Sequence, residues 1–204
     1  MKKHRSLILN IYLSLNFAGW GLWQTYQYYL KGTLGYVEIS FTVQSLVVAV
    51  IFLIRKPHQM VHTNLLHQAV AMIAFCSGAA FMGQPVTGNP LAKHISQVVI
   101  LCANVLGVAA LLNLGRSFGI LIAFRGLKSR GLYRTVRHPM YATDILLRIG
   151  FLISHTNLFT VVVFIASTGC YVYRALLEEW FLIQRPEYRE YMQRVKYRFI
   201  PFVF

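Results

Sequence analysis

Long apolar runs alternate with short polar segments along most of the chain. The runs cover residues 7–30, 39–54, 66–82, 94–114, 140–154 and 158–177. A helix that crosses a bilayer needs about 20 mostly apolar residues, so the pattern predicts five to six transmembrane α-helices. The short fifth run has two interpretations, a complete crossing or half of a re-entrant hairpin with the sixth run. No small-residue cleavage site follows the first run, which we therefore expect to be a retained helix.

The composition excludes an ordinary soluble domain and agrees with one membrane domain of moderate size. The chain has 204 residues, of which 56% are hydrophobic, and its mean hydropathy is +0.52. We predict an all-α integral membrane protein. Four of the six acidic residues lie within residues 178–190. We therefore expect residues 1–113 to form scaffold helices and residues 114–204 to form the catalytic region.

The distribution of basic residues predicts a topology. A net charge of +14 would indicate nucleic-acid binding in a soluble protein. Here the basic residues cluster before the first run and after the second, fourth and sixth runs, and only Lys31 and Lys93 lie in the opposite loops. Because cytoplasmic loops carry an excess of Lys and Arg, we expect both termini in the cytoplasm and residues 83–90 outside. The membrane would be the inner membrane of a bacterium or the endoplasmic reticulum of a eukaryote.

The sequence RHPMY at residues 137–141 is the first stretch that charge alone does not explain. Pro139 disfavours helical angles at His138 and is well suited to the first turn of a helix. A helix starting there would direct free N–H groups toward an anion, and Arg137 adds a forked donor for a carboxylate or a phosphate. The alternative is a basic loop that only touches lipid headgroups.

The second stretch, LLEEWFLIQRPEYREYMQRVKYRFIPF, ends the sixth run. Charged groups at membrane depth are costly and usually functional, which makes Glu178 and Glu179 candidate catalytic residues. They point about 100° apart on a helix, so they cannot simply share a partner, and Glu178 has the alternative of pairing with Arg174 one turn earlier. The following segment predicts an amphipathic interfacial helix whose tyrosines either anchor it to the membrane or contact a ligand.

Three further sequence patterns could indicate function, but a purely structural role explains each of them at least as well. The spacing of Asp144 and Arg148 fits a buried pair that neutralises itself or the wall of a polar cavity. Gly115 and Gly119 permit a close helix or ligand approach. The histidines and the three cysteines lack a convincing metal-binding pattern, so no metal site is predicted.

The order LGRSFG, RGLYRTVRHPMY, EE, EYREYMQRVKYRFIP resembles the isoprenylcysteine carboxyl methyltransferase family, which belongs to a wider group with the phospholipid N-methyltransferases. The resemblance covers roughly residues 114–202. It implies a membrane enzyme that uses S-adenosylmethionine, held in a cytoplasmic-side pocket closed by the C-terminal helix. It also implies a lipophilic or prenylated acceptor and no nucleic-acid partner.

The resemblance assigns residues to that pocket. His138, Pro139 and Tyr141 match the cofactor-binding turn of the family. Arg137 matches the arginine of that turn. Glu178 and Glu179 match the paired acidic residues of the family, which are expected near the cofactor amino group or the reacting centre. We expect Arg137, Glu178 and Glu179 to be the catalytic residues. The remaining matches are two residues of the closing segment, Arg198 and Pro201, and the candidate cofactor-binding residues are completed by Glu179, Tyr188 and Tyr191.

Several functions remain open at this point. The acceptor is expected to be an isoprenylcysteine-type carboxylate, with a phospholipid amine as the alternative. RHPMYATD together with VKYRFIP also resembles the C-terminal part of the NADPH-dependent membrane sterol reductases, although those proteins are much longer. A transporter or scaffold without catalytic activity is the third alternative.

Overall fold

The computed structural model describes residues 2–203, with side chains from Leu7 onward, and this part of the chain is mainly helical. The helices are α1 (Lys2–Leu30), α2 (Tyr36–Ile54), α3 (Leu65–Cys76), α4 (Pro90–Leu114), α5 (Pro139–Ser154), α6 (Leu158–Leu182) and α7 (Pro186–Arg194). Two short strands, β1 (Met60–Val61) and β2 (Ala123–Phe124), pair antiparallel. The predicted all-α class is confirmed, and each of the six apolar runs forms helix.

The length and hydropathy of the helices support a membrane location, but they do not determine how many helices cross the membrane. Three described segments are long and apolar enough to span a bilayer: Tyr36–Ile54, Pro90–Ser117 and Leu158–Leu182. Helix α3 continues as a 3₁₀ turn, and the segment Leu65–Phe81 is apolar but shorter. The six-crossing topology therefore stays a prediction.

Local sequence explains where the helices begin. The side chain of Asn89 accepts hydrogen bonds from two backbone N–H groups of α4, and Pro90 occupies its first turn. Asn157 similarly caps α6 by accepting from the amide of Thr160. These caps satisfy backbone donors that the helix itself leaves unpaired.

The helices pack around small residues and aromatic rings. Helix α5 lies against α4 so closely that a Cβ on Gly150 would stand 2.6 Å from Ile100 Cγ1. The hydroxyl of Ser96 donates to the Gly150 carbonyl at 2.7 Å. Between α2 and α4, a buried apolar cluster includes Phe52 and Leu111. Burial of apolar surface stabilises such contacts by about 25 cal/mol per Å².

The basic segments meet at one end of the helices. Arg55, after α2, donates from Nε to Asn10 Oδ1 of α1 at 2.7 Å. The amide of Lys56 donates to the carbonyl of Arg116, after α4, at 2.8 Å. The segment before α5 and the segment after α7 also lie at this end, because the amide of His138 donates to the carbonyl of Arg198 at 2.9 Å.

The opposite end holds the predicted external loop. The amide of Thr87 donates to the carbonyl of Ser154, the last residue of α5, at 2.7 Å. Asn157 donates to Gln84 at 3.3 Å. Helix α5 thus runs from the basic end to the opposite end, over roughly 24 Å at 1.5 Å per residue.

Candidate active site

The RHPMY turn begins α5, as the sequence predicts, and is clamped by the C-terminal segment. His138 is the N-cap residue and Pro139 occupies the first turn of the helix. The amide of Arg137 donates to the carbonyl of Tyr197 at 2.9 Å, beside the bond from His138 to Arg198. These backbone bonds join two segments that are sixty residues apart in sequence.

Glu179 is the charged centre of this junction. Its side chain is buried, and its Oε1 lies 3.0 Å from Arg137 Nε and 3.1 Å from His138 Nε2. Arg198 Nε lies 3.0 Å from Oε2. The Arg137 contact is an ion pair rather than a directed hydrogen bond, since its Nε–H has no acceptor in good geometry. One buried carboxylate thus holds the turn and the closing segment together.

Glu178 faces a different set of partners, as two consecutive helical residues must. The hydroxyl of Tyr141 donates to Glu178 Oε1 at 2.5 Å, and Arg174 Nε donates to the same oxygen at 3.2 Å. Arg174 also donates to the carbonyls of Ala71 and Ile120. The pairing of Glu178 with Arg174 one turn earlier is therefore present, but Tyr141 adds the RHPMY turn to it.

Tyr188 and Tyr191 on α7 are buried rather than placed as surface anchors. The Tyr191 hydroxyl donates to the Tyr133 carbonyl at 2.7 Å. Burial raises the pKa of both phenols above the ordinary tyrosine range, and the nearby Glu179 adds to the effect. Both side chains therefore remain neutral at physiological pH. Simple interfacial anchoring does not describe these two residues.

These groups surround a cavity of about 280 Å³. Six of the residues that the sequence singles out line it: Arg137, His138, Tyr141, Glu178, Tyr188 and Tyr191. The N-terminal helices also contribute to the wall, for example Gln44 of α2 and Phe75 of α3. The volume lies near the lower end of the range for small-molecule sites.

Two predicted cofactor-binding residues do not line this cavity. Pro139 occupies the first turn of α5, and the Glu179 carboxylate contacts Arg137, His138 and Arg198. Their direct contact with a cofactor stays a prediction. Pro201 of the predicted closing segment is half-buried in a turn after α7.

The side chains of Asp144 and Arg148 form no ion pair within 4.0 Å among the described residues. Arg148 donates instead to the backbone carbonyls of Asp144 and Ala74 and to the hydroxyl of Ser77. Its guanidinium also lies 4.8 Å from the ring centroid of Tyr171. Both Asp144 and Arg148 line the cavity, so the polar-cavity interpretation is the one that the contacts support.

Sequence reasoning missed the segment of residues 117–128, which forms a large part of the cavity wall. Arg125 in this segment is buried, although the sequence marks it only as one of the basic residues that follow the fourth apolar run. Gly119 packs directly against it: an added Cβ would lie 2.8 Å from Arg125 Cζ. The Gly115-x-x-x-Gly119 pattern was the one available signal of a close approach here.

Two histidines lie side by side before and within α3. His62 and His67 approach each other at 2.5 Å between ring nitrogens. No group of three or more His, Cys, Asp or Glu residues with metal-binding geometry occurs within the described part of the chain.

Fold and cavity together define an α-helical integral membrane protein with an arginine-rich cavity that reaches from the basic end of the helices to residues near the middle of α2, α5 and α6. The family model for phospholipid methyltransferases matches residues 86–187, half of the chain. The chain belongs to this family and is a membrane methyltransferase.

A match to a solved structure extends over most of the chain. It is that of the eukaryotic intramembrane Ras methyltransferase ICMT (isoprenylcysteine carboxyl methyltransferase), at 21% identity and a TM-score of 0.49. The match covers 97% of this chain and 74% of the other. A comparison with curated proteins finds no match.

Proposed function

We propose that the protein transfers a methyl group from S-adenosylmethionine to a lipophilic acceptor that reaches the cavity from the bilayer. The observation that carries the proposal is that Arg137 and Glu178 line the same cavity together with several tyrosine side chains. S-adenosylmethionine supplies an electrophilic methyl group on a sulfonium and carries a carboxylate and an ammonium. A guanidinium, a carboxylate and aromatic surfaces suit these groups.

Each side chain has a distinct part in this proposal. Arg137 binds the carboxylate of the cofactor, and Glu178 binds its ammonium while Tyr141 holds Glu178 in place. Tyr188 and Tyr191 exclude water from the cavity. Glu179 acts as a positioning residue, because it orients Arg137 and His138 and ties them to Arg198. Positioning and exclusion of water are the main requirements of an in-line methyl transfer.

The first candidate acceptor is an isoprenylcysteine-type carboxylate. A carboxylate is already ionised at neutral pH, so its oxygen needs no general base. A phospholipid amine is the second candidate, and the family match favours it. An amine arrives protonated, and His138 is the cavity-lining group with the chemistry to accept its proton.

The experiment is a transfer assay with the purified full-length protein in vesicles that contain phosphatidylethanolamine and a prenylated cysteine acid. S-adenosylmethionine with a tritiated methyl group is the donor; label in the organic phase is measured first, and the extracted lipid is then treated with mild alkali. We expect labelled lipid in the wild type and none in Arg137→Ala. Alkali converts a methyl ester to volatile labelled methanol, whereas label on a methylated amine stays non-volatile, which separates the two acceptors. Absence of label from both lipids contradicts the proposal.

A further inference from the structure

The cavity wall carries a buried guanidinium that no carboxylate of the described residues approaches within ion-pairing distance. Arg125 follows β2 and is 8% exposed. Its Nε has no hydrogen-bond partner, and none of the four ion pairs among the described residues includes it. A buried charge is costly unless it is paired. A bound anion is therefore the partner that this position lacks.

The local backbone is built to hold the Arg125 guanidinium in place. Gly119 leaves the space that the group occupies, and a Cβ there would collide with Nη1 and lie 2.8 Å from Cζ. The Ser117 hydroxyl donates to the Arg125 carbonyl at 3.4 Å and helps to fix the loop. The position is thus defined by the fold, in contrast to that of a solvated surface arginine.

The electrostatic surroundings make Arg125 still more receptive to an anion. Burial lowers its pKa to about 10, nearby Arg55 lowers it as well, and Glu178 opposes them. The group remains cationic at neutral pH. Arg55 itself is engaged with Asn10 and with the ring of Phe52, so it adds positive charge near Arg125 and offers it no compensation.

The charge balance of the whole cavity distinguishes the possible acceptors. Five basic residues line it against two acidic ones, and they are Arg125, Lys128, Arg137, Arg148 and Arg174 against Asp144 and Glu178. S-adenosylmethionine has a net positive charge, since its sulfonium and ammonium outweigh its carboxylate. The cofactor therefore cannot neutralise the cavity, and a protonated amine would add a further positive charge. An anionic acceptor compensates for the excess.

We propose that Arg125 is the specificity-determining residue of the acceptor subsite and binds the carboxylate of a lipophilic acceptor. This assignment rests on the proposed methyltransferase function. A guanidinium binds a carboxylate through two parallel N–H donors and so fixes its orientation as well as its charge. With Arg125 in this position, the subsite binds an acceptor with a carboxylate more tightly than an acceptor with an amine or an uncharged analogue.

The test compares a matched pair of ligands on the full-length protein in detergent micelles. The ligands are an isoprenyl thioether of N-acetylcysteine and the carboxamide of the same molecule, which has the same shape without the charge. The KM of the acid and the inhibition constant of the carboxamide are measured for the wild type, Arg125→Met and Gly119→Ala. Arg130→Met is the control, because Arg130 is an exposed arginine of the same segment that does not line the cavity.

We expect the wild type to bind the acid at least about tenfold more tightly than the carboxamide, as a charged hydrogen-bonded pair implies. Arg125→Met abolishes that preference by raising the KM of the acid. Gly119→Ala displaces the guanidinium and reduces the preference. Arg130→Met keeps it, and all variants keep the wild-type affinity for S-adenosylhomocysteine. If Arg125→Met does not fold, the ligand preferences of the wild type and of Gly119→Ala still decide the matter.

Three outcomes overturn the assignment while leaving the methyltransferase proposal intact. One is an acid preference that survives in folded Arg125→Met. Another is transfer by the wild type to phosphatidylethanolamine and not to the acid. The third is a selective loss of S-adenosylhomocysteine affinity in folded Arg125→Met, which would assign Arg125 to the cofactor. A wild type that does not bind S-adenosylhomocysteine at all contradicts the proposed function itself.

Discussion

At the scale of single residues, the two consecutive glutamates have different structural parts. Glu178 lines the cavity, whereas Glu179 is buried among Arg137, His138 and Arg198. Helical geometry predicts this divergence from the sequence alone, because neighbouring side chains point about 100° apart. Which glutamate faces which partner depends on how the C-terminal segment packs, and the sequence does not contain that information in any local pattern.

Glu179→Gln is expected to destabilise the protein. Removal of the charge leaves Arg137 buried beside an uncompensating amide, and breaking a buried ion pair costs about 3–5 kcal/mol. The free energy of unfolding, measured by denaturant titration in micelles, should fall accordingly. The control is Glu187→Gln on the exposed face of α7, which should change it by less than about 0.5 kcal/mol. Equal stability of the two variants would show that Glu179 does not hold the junction.

Arg125 illustrates what the sequence does not reveal at this scale. It follows a short apolar stretch in a segment with several other basic residues, and the topology of a membrane protein accounts for such charge without any ligand. Its burial depends on β2 pairing with β1, which brings residues 60 and 124 together. The two strands lie far apart in sequence. Each has only two residues, too few to show the alternation of apolar and polar residues that would predict a strand.

At the scale of elements, the C-terminal segment is the part that completes the site. Helix α7 is amphipathic, as the sequence indicates, but its tyrosines are buried against the RHPMY side of the cavity. The phenol of Tyr191 donates to the Tyr133 carbonyl. The backbone carbonyls of residues 197 and 198 accept hydrogen bonds from the amides of Arg137 and His138. The resemblance predicted a closing segment; the contacts identify what it closes against.

Tyr191→Phe is expected to loosen this closure. The substitution leaves the Tyr133 carbonyl unpaired in a buried position, which costs about 1–3 kcal/mol. The melting temperature in micelles should drop, and S-adenosylhomocysteine should bind more weakly. Tyr197→Phe is the matched control, because its half-buried ring packs on Phe202 and no hydrogen bond of its hydroxyl occurs among the described residues. A drop of the same size in both variants would contradict the role of Tyr191.

The same tyrosines give the stability a defined dependence on pH. Burial raises the pKa of Tyr188 and Tyr191 in the folded protein, whereas the phenols titrate near 10 when unfolded. Their contribution is therefore complete below about pH 10 and is lost as the pH rises further, because the unfolded state releases protons first. The melting temperature should decline above about pH 10 more steeply in the wild type than in Tyr191→Phe. Parallel declines would exclude this linkage.

At the scale of the whole molecule, the charge pattern and the architecture agree. The segments rich in Lys and Arg meet at one end of the helices, and the loop of residues 83–90 lies at the other, beside Ser154. The hydrophobic pattern was sufficient to predict the helices. It was not sufficient to count the crossings, since α3 and α5 are short and hydropathy alone identifies three spans.

Topology is tested by labelling single cysteines in sealed vesicles of known orientation. The three native cysteines are first replaced by serine, and Val86→Cys and Ser129→Cys are introduced separately at exposed positions on opposite ends. A membrane-impermeant maleimide should label residue 86 only from outside and residue 129 only from the cytoplasmic side. Labelling of both positions from the same side would contradict the predicted orientation.

The measurement that tests the central claim most directly is the binding of S-adenosylhomocysteine to the purified protein. Calorimetry in micelles should give micromolar affinity for the wild type, no binding of NADPH, and affinity reduced by about tenfold or more in Glu178→Gln, which weakens a charged pair with the ammonium. Glu190→Gln, an exposed acid of α7, should bind as the wild type does. Binding of NADPH without S-adenosylhomocysteine, or full affinity in Glu178→Gln, would contradict the assignment of this cavity to the methyl donor.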